Sequence, residues 1–246
     1  MQIDPPLLET RFRRRYQRFF ADVDPVGLPP GVDPRTAAPL TVHCPNSGSM
    51  RGCVETAGRA WISDSGNPAR KLRHTLEMLE LEGYAGPTRV LVNTQRPNAL
   101  VEAAVRDGTI VELAGADLVE REVKYGTERS RIDLRLTFGD RFAYVEVKNA
   151  TMGVGGGRSL FPDAVTERGA KHLRELMGVV AQGHRGVLVF CAGRDDTQVV
   201  APADAIDPAY GRVLREAAAA GVEVLAYRCA LSPGMFRIMQ RVPVEL

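Results

Sequence analysis

Lysine, aromatic residues and long apolar runs are all scarce in this sequence. Of 32 basic residues, the lysines are Lys71, Lys124, Lys148 and Lys171. Aromatic residues make up 6%, which limits the surface on which nucleic-acid bases can stack. No run approaches the roughly 18 apolar residues of a membrane helix, and the arginine-rich start does not match a secretory signal. We therefore expect no membrane partner and a cytoplasmic location.

Cysteine is also sparse and scattered. Four cysteines occur, Cys44, Cys53, Cys191 and Cys229, and none forms a CxxC pair. This spacing argues against a zinc site or a disulfide framework. We expect packed thiols in a reducing compartment.

Arginines cluster, although the formal net charge is only +2. Five lie between residues 11 and 18, and a second basic group follows residue 69. Because phosphate attraction depends on a local basic surface, an anionic polymer is a reasonable partner. A solvated charged face is the alternative interpretation. The candidate DNA contacts in these two clusters are Arg13, Arg14, Arg15, Arg18, Arg70, Lys71 and Arg73.

Short apolar segments separated by turn-forming residues predict a small β-barrel in residues 1–84. Strands are expected at 15–23, 40–44 and 59–63, whereas residues 72–81 fit either a strand or a helix. The segment 24–39 holds five prolines and is typical of a connection.

Residues 85–246 show a different pattern, which predicts a second domain of mixed α/β (α+β) type. Helices are expected at 98–106, from residue 163 or 166 to about residue 182, and at 208–220. Strands are expected at 90–92, 118–124, 131–138, 141–149, 186–191 and 222–228.

The most specific feature is a pair of alternating strands joined at Gly139-Asp140. If they form a hairpin there, opposed residue numbers sum to about 279, which places Asp133 opposite Glu146. The apolar residues of each strand then share the other face. Opposed side chains on an antiparallel pair lie about 5 Å apart at Cβ, so the two carboxylates are expected to be neighbours.

Two carboxylates this close repel each other unless a proton or a cation lies between them. A hard divalent ion such as Mg²⁺ or Mn²⁺ prefers these oxygen ligands. Lys148 points to the same side and would place an ammonium group beside the metal, where it can orient water or stabilise a phosphoryl oxygen. The alternative is a solvated sheet face on which Arg131, Arg135 and Lys148 neutralise the acids.

This constellation resembles the PD-(D/E)xK nuclease superfamily, whose core is helix, three strands, helix, strand. Asp133, Glu146 and Lys148 match its acidic, acidic and basic positions, although Ile132 stands where the named motif has proline. The resemblance implies metal-dependent phosphodiester hydrolysis, with the two acids as metal ligands and Lys148 assisting. Some members carry a further acid on the first helix, and Glu102 is the candidate here.

The chain as a whole resembles the sugar fermentation stimulation protein A family. The matching segments run in order along the chain: RRYQRF (14–19), HCPNSGSM (43–50), NTQRPN (93–98), SRID (130–133), YVEVKN (144–149) and LFPDAVTERG (160–169). The resemblance implies an N-terminal OB-like β-barrel, a C-terminal restriction-endonuclease-like domain and DNA binding without strong sequence preference. It also implies a link to the regulation of sugar (maltose) catabolism. Residues 25–39 are longer than the usual loop of the family.

Two further elements supply candidate phosphate contacts. The loop 43–50, which includes Asn46 and Ser49, has small polar residues that can present backbone N–H groups to a phosphate, with a structural turn as the alternative. Arg168 and Lys171 lie on one side of the second predicted helix, which borders the active cleft in nuclease-like folds. A polar solvent face is the alternative there.

We therefore predict a largely sequence-nonspecific DNA-binding protein with a divalent-metal site of nuclease type, acting on single- or double-stranded DNA. A non-catalytic DNA-binding regulator of sugar (maltose) catabolism genes is the first alternative. A barrel that binds a small molecule or a protein is the second. The sequence leaves open whether the chain cleaves DNA and whether it forms a homodimer.

Overall fold

The computed structural model describes residues 1–26, 38–127 and 130–246. Residues 27–37, which make up most of the segment predicted to be longer than the usual family loop, lie outside the described residues. The described chain forms an N-terminal barrel and a C-terminal α/β region.

The N-terminal region is a six-stranded sheet that closes on itself. Its order is β3-β2-β1-β4-β5-β6, where the strands are β1 (Leu8–Tyr16), β2 (Phe20–Pro25), β3 (Leu40–His43), β4 (Ala57–Asp64), β5 (His74–Gly83) and β6 (Gly86–Leu91). His43 of β3 also pairs with Thr75 of β5, which closes the barrel. Apolar side chains such as Phe12, Val42 and Leu76 fill its interior. The predicted small β-barrel is confirmed.

One predicted strand of the barrel is wrong. The pattern predicts a single strand at 15–23, but the chain reverses at residues 17–19 and forms the antiparallel hairpin β1–β2. Gln17 and Arg18 adopt positive φ angles of 48° and 64°. Because neither residue is glycine or asparagine, this turn lacks the usual sequence signal. The segment 72–81, which fits a strand or a helix by pattern, forms β5.

The predicted domain boundary between residues 84 and 85 falls in the turn from β5 to β6. Both of these strands belong to the barrel sheet, in which Glu82 pairs with Pro87. The barrel sheet therefore extends to Leu91.

The C-terminal region has the predicted order of helix, three strands, helix, strand, helix, strand, and the structure adds further short strands. Its elements are α1 (Pro97–Arg106), β7 (Leu118–Tyr125), β8 (Ser130–Phe138), β9 (Arg141–Ala150), β10 (Met152–Gly153), β11 (Arg158–Phe161), α2 (Glu167–Ala181), β12 (Arg185–Ala192), β13 (Val199–Pro202), α3 (Pro208–Ala219), β14 (Glu223–Ser232) and β15 (Met235–Arg241). The sequence pattern did not predict β10, β11, β13 or β15.

Six of these strands form the main sheet in the order β15-β14-β12-β9-β8-β7. The buried strand β12 lies parallel to β9 and to β14, and the outer pairs are antiparallel. The strands β10, β11 and β13 form a separate small sheet.

Helices cover both faces of the main sheet, and the barrel packs on the face that α1 covers. On that face, one apolar core joins Trp61 of the barrel to Leu100 of α1 and Val145 of β9. On the opposite face, a second core contains Leu173 of α2 and Leu214 of α3. Because the first core is shared, burial of its apolar surface holds the barrel against the sheet.

Two expectations from composition can be compared with the structure. All four cysteines are buried and unpaired, as expected for packed thiols. In the described parts of the chain, no helix has the length and apolar character needed to cross a membrane.

Candidate functional site

The predicted acid pair lies where the strands β8 and β9 separate. The ladder has the predicted register, and its last pair is Leu134 with Val145. At the next residue of β8, a side-chain hydrogen bond replaces the backbone pairing. Oδ2 of Asp133 accepts this bond from the backbone N–H of Val147 at 2.7 Å. Asp133 and Glu146 therefore lie beside a gap between β8 and β9, which are inner strands of the sheet.

The predicted alternation is wrong for one apolar residue at this gap. Leu134 packs on the α1 face of the sheet, but Ile132 packs on the α2 face. The break comes at Asp133, where a side-chain hydrogen bond takes the place of the backbone ladder.

Glu146 is nearly fully buried, with 2% of its surface exposed. Its Oε1 accepts hydrogen bonds from Lys148 Nζ, at 2.5 Å, and from Nδ1 of His172 on α2. Its Oε2 is buried and has no hydrogen-bond partner in the described structure. A buried carboxylate oxygen without a partner costs free energy, so it marks a place where a ligand would be stabilised.

The two acids have different protonation behaviour. Burial, together with the nearby charge of Glu146, raises the pKa of Asp133 to about 6. Burial also acts to raise the pKa of Glu146, but hydrogen bonds from His172 and Lys148 and the charge of Lys148 outweigh it and hold this pKa below its usual value. The negative charge of the pair is therefore least compensated at Asp133.

The acid pair opens into a cavity of 410 Å³ at the junction of the two regions. The floor comes from the β8–β9 gap, one wall from the barrel loop at residues 46–48, and the other wall from the segment that leads into α2. The polar residues that line the cavity include Asn46, Thr94, Asn98, Lys148, Asp163 and Arg168. A cavity of this volume with a polar lining suits a small polar ligand.

Of three predicted DNA contacts at the barrel loop, Asn46 lines this cavity, and Arg15 and Ser49 hold the loop from outside the lining. Arg15 donates to the backbone carbonyls of Asn46, Gly48 and Ser49, at 2.6, 2.9 and 3.3 Å. Asn46 Nδ2 donates to the Val92 carbonyl at 3.0 Å. Within the loop, the side chain of Asn46 also accepts the N–H of Gly48 at 2.9 Å. Their DNA contacts stay predictions.

Asp163 ties the loop to the other wall. It accepts from Ser49 Oγ at 3.1 Å and from the Met50 backbone N–H at 2.8 Å. Two backbone N–H groups of the loop, those of Gly48 and Met50, are therefore already satisfied within the protein.

The other predicted DNA contacts on the barrel also lie outside the cavity lining. Three of these arginines pair with acids of the barrel: Arg13 with Asp24 at 2.5 Å, Arg14 with Asp22 at 2.8 Å and Arg73 with Asp64 at 2.6 Å. Arg70 contacts His43 at 3.3 Å. Arg18 and Lys71 are exposed.

The two predicted contacts on α2 separate. Arg168 lines the cavity and donates from Nε to His172 Nε2 at 3.3 Å. Lys171, which is partly buried, lies outside the lining.

Glu102 is not brought to the acid pair. Its carboxylate lies between Arg106, at 2.8 Å, and Arg121 of β7, outside the cavity lining. Asn98, one helical turn earlier, faces the pair instead and donates from Nδ2 to Asp133 Oδ1 at 2.7 Å. These two arginines also hold the pKa of Glu102 below its usual value, although burial opposes them.

Sequence reasoning missed His172 and Asn98. His172 lies four residues after Arg168, and on a helix this spacing places both on one face. That spacing was the available signal for His172. Asn98 follows Pro97 at the first turn of α1, and its sequence position predicts a helix start rather than a contact to an acid.

The donor set at the acid pair fits a hard divalent cation. In the chain as described, with residues 27–37 and 128–129 left out, no group of three or more His, Cys, Asp or Glu side chains is arranged to hold a metal ion. The pair offers two carboxylates, so backbone carbonyls or water would complete a coordination shell of oxygens. The unpartnered Oε2 of Glu146 and the raised pKa of Asp133 both indicate that positive charge is lacking there.

Comparison with known proteins places both regions in one family. Residues 95–235 match the sugar fermentation stimulation protein RE domain, and residues 14–90 match the SfsA N-terminal OB domain. The chain belongs to the sugar fermentation stimulation protein family. Relatives in this family include the homologs from Geobacter metallireducens, 50% identical over 247 residues with 100% of both chains covered, and from Pelobacter propionicus, 51% identical over 243 residues with 98% and 99% covered.

A solved structure shares the fold of this family member over its whole length. It is Pyrococcus furiosus SfsA in complex with Ca²⁺, with a TM-score of 0.83 and 23% sequence identity, covering 100% of this chain and 98% of that chain. The predicted fold class, an OB-like barrel followed by a restriction-endonuclease-like mixed-sheet domain, is confirmed.

Proposed function

We propose that this protein binds DNA at the cavity between its two regions and that Asp133 and Glu146 hold a Mg²⁺ or Mn²⁺ ion there for phosphodiester hydrolysis. The observation that carries the proposal is the buried, unpartnered Oε2 of Glu146 beside Asp133. The Ca²⁺ complex of the Pyrococcus furiosus relative is consistent with a divalent-cation site in this fold.

When bound, the cation would supply a Lewis acid that activates water and neutralises phosphoryl charge. The chain's own residues prepare this site. Asn98 and the Val147 N–H orient Asp133 by hydrogen bonds to its two oxygens. Lys148 supplies a fixed positive charge beside the pair, where it can stabilise negative charge on a phosphate.

Phosphate binding needs cations around the cavity as well as inside it. Arg168 is exposed on the cavity wall, and a guanidinium group binds phosphate oxygens with two parallel hydrogen bonds. Arg18, Arg70 and Lys71 are exposed on the barrel. Because such contacts release counterions, binding is expected to weaken steeply as salt increases and to depend little on base sequence.

The test is cleavage of supercoiled, linear and single-stranded DNA in Mg²⁺ or Mn²⁺ by the parent protein, Glu146→Gln and Lys148→Ala. A matched control is Glu120→Gln, since Glu120 lies in the same sheet but pairs with Arg135 away from the cavity. Gel shifts in Ca²⁺ report binding separately. We expect cleavage by the parent and the control and none by the two site variants.

Cleavage that survives in Glu146→Gln would refute the assignment of the site. DNA binding that does not respond to salt would refute the phosphate contacts. Each result separates the metal part of the proposal from the DNA part.

A non-catalytic DNA-binding regulator of sugar (maltose) catabolism genes is the second candidate. The observation that favours it is that Lys148 and His172 both bond to Glu146 Oε1, so this acid is partly neutralised without a metal. The cavity would then hold DNA as a clamp. Salt-sensitive binding with no cleavage in any divalent metal would support this candidate over the first.

A further inference from the structure

We infer that His172 and Arg168 form a positioning pair that fixes the carboxylate of Glu146 for cation binding. This inference rests on the proposed function of the acid pair. It assigns a role to two residues of α2 that do not touch the cation directly.

The contacts of His172 define which ring nitrogen carries its proton. The Glu146 carboxylate can only accept, so Nδ1 of His172 donates to its Oε1. On the other side of the ring, Nε2 accepts from Arg168 Nε at 3.3 Å. Both neighbours therefore favour the same arrangement, with Nδ1 as the donor and Nε2 as the acceptor, and the ring is held in one orientation.

Burial makes this arrangement rigid. His172 is 5% exposed and Glu146 is 2% exposed, so neither side chain has solvent as an alternative partner. Ordered partners of this kind set the orientation of a metal-binding side chain, and their loss typically costs 10-fold to 100-fold in metal affinity.

The start of α2 is itself fixed. Thr166 caps the helix, because its Oγ1 accepts the N–H of Gly169 at 3.0 Å. The N–H of Thr166 donates to Asp207 Oδ2 at 2.8 Å, and Asp207 also caps α3. Arg168 and His172 lie four residues apart on this anchored turn and so share one face.

The result is an asymmetric carboxylate. His172 and Lys148 both donate to Oε1 of Glu146, whereas Oε2 has no partner among the described residues. Removing His172 would leave one donor to Oε1 and would allow the carboxylate to rotate away from the position in which Oε2 is free.

The test is titration calorimetry of the full chain with Mn²⁺ alone, using three substitutions at one position. Asparagine places its amide N–H near the position of Nδ1, whereas glutamine places its amide near Nε2. We expect His172→Ala and His172→Gln to bind Mn²⁺ about 10-fold to 100-fold more weakly than the parent. His172→Asn should recover most of this loss. Circular dichroism checks that each variant folds.

A second variant tests Arg168, the exposed member of the pair. Substitution at this surface position does not put folding at risk. Arg168→Ala should weaken Mn²⁺ binding several-fold, because the ring loses the donor to Nε2. The matched control is Arg212→Ala on α3, whose side chain is 68% exposed. This control should bind Mn²⁺ as the parent does.

The outcomes separate this inference from the proposed function. If the parent binds no Mn²⁺, the metal site fails and the positioning role falls with it. If the parent binds Mn²⁺ and the alanine variants bind it equally well, the metal site stands and the positioning role is overturned. Equal weakening by alanine, asparagine and glutamine also overturns it, because a packing role does not depend on which nitrogen donates.

Discussion

The arginine-rich hairpin of the barrel and the acid pair of the cavity both bring like charges together, yet the fold compensates them differently. In the hairpin, Arg13 and Arg14 pair with acids of the neighbouring strand. In the cavity, Asp133 has a raised pKa and Glu146 has an oxygen without a partner.

This difference distinguishes charges that support the fold from charges that await a ligand. Arg13 and Arg14 are compensated inside the protein, so their removal should affect stability more than binding. The acid pair is incompletely compensated, so its removal should affect binding more than stability. Folding tends to satisfy buried polar groups, and the exceptions are candidates for function.

The largest expected effect comes from Asp133→Asn, which tests the acid side of this comparison. The variant should lose at least about 100-fold in Mn²⁺ affinity, since one of two carboxylate ligands becomes neutral. In chelator at pH 8 it should nevertheless be more stable than the parent by about 1–3 kcal/mol, because a charge that is buried and lies beside Glu146 is removed. Calorimetric titration and thermal unfolding measure the two quantities.

The sign of the pH dependence follows from the raised pKa of Asp133. Folded Asp133 has a pKa of about 6, above that of the unfolded chain, so the folded state binds more protons between these two values. Parent stability should therefore fall as pH rises through this window, and the difference from Asp133→Asn should disappear near pH 4. A constant difference between pH 4 and pH 8 would refute the charge explanation.

Arg15→Ala tests the barrel side and should give the next largest effect. Arg15 donates to the carbonyls of three loop residues. A hydrogen bond to a charged group contributes about 1.5–3 kcal/mol net, and solvent at the partly exposed Arg15 lowers the total of the three. We expect a loss of about 2 kcal/mol in urea unfolding. The control, Arg13→Ala, breaks a more exposed pair with Asp24 and should cost about 0.5 kcal/mol or less.

If the two substitutions cost the same, the loop contacts of Arg15 do not stabilise the barrel wall. Arg15, with three hydrogen bonds to the loop, would then stabilise the protein no more than Arg13 does with its exposed ion pair.

The contrast also explains what the sequence could predict. The register of β8 and β9 was predictable because alternation and a two-residue turn at Gly139-Asp140 are local features. The acid pair followed from that register. The hairpin β1–β2 was not predictable, because its turn uses positive φ at Gln17 and Arg18 without a glycine.

Long-range partners were beyond local patterns. The pairing of β11 with β13 joins Arg158–Phe161 to a strand about forty residues later. The acids that pair with Arg13 and Arg14 lie on β2, the neighbouring strand of the hairpin. His172 belongs to no motif in the sequence, and its contact with Glu146 joins residues 26 positions apart. The arginine clusters were therefore interpreted as DNA contacts before their internal partners were visible.

Asp22→Asn is a smaller test of compensation in the hairpin. Asp22 is 4% exposed and accepts from Arg14 and Thr41, each at 2.8 Å, and from Tyr16 at 3.2 Å. Burial acts to raise its pKa, but these hydrogen bonds outweigh burial and hold the pKa below its usual value. We expect Asp22→Asn to lose about 1–2 kcal/mol at pH 7 in urea unfolding.

Because the pKa of Asp22 is lowered in the folded state, its contribution is present above the unfolded value and is lost as pH falls. The stability of the parent and of Asp22→Asn should therefore converge below about pH 4. A difference that grows towards low pH would contradict the compensation of Arg14 by Asp22.

The smallest expected effect concerns DNA binding by the second basic cluster, in which Arg73 is paired with Asp64 and Lys71 is exposed. Lys71→Ala should reduce the slope of log affinity for DNA against log salt by about 1, as expected for one lost phosphate contact. The double variant Asp64→Asn with Arg73→Gln removes a paired acid and base without changing net charge, and it should leave the slope unchanged. A slope that falls in the double variant but not in Lys71→Ala would reverse the comparison, because the paired arginine would then be the one that meets DNA.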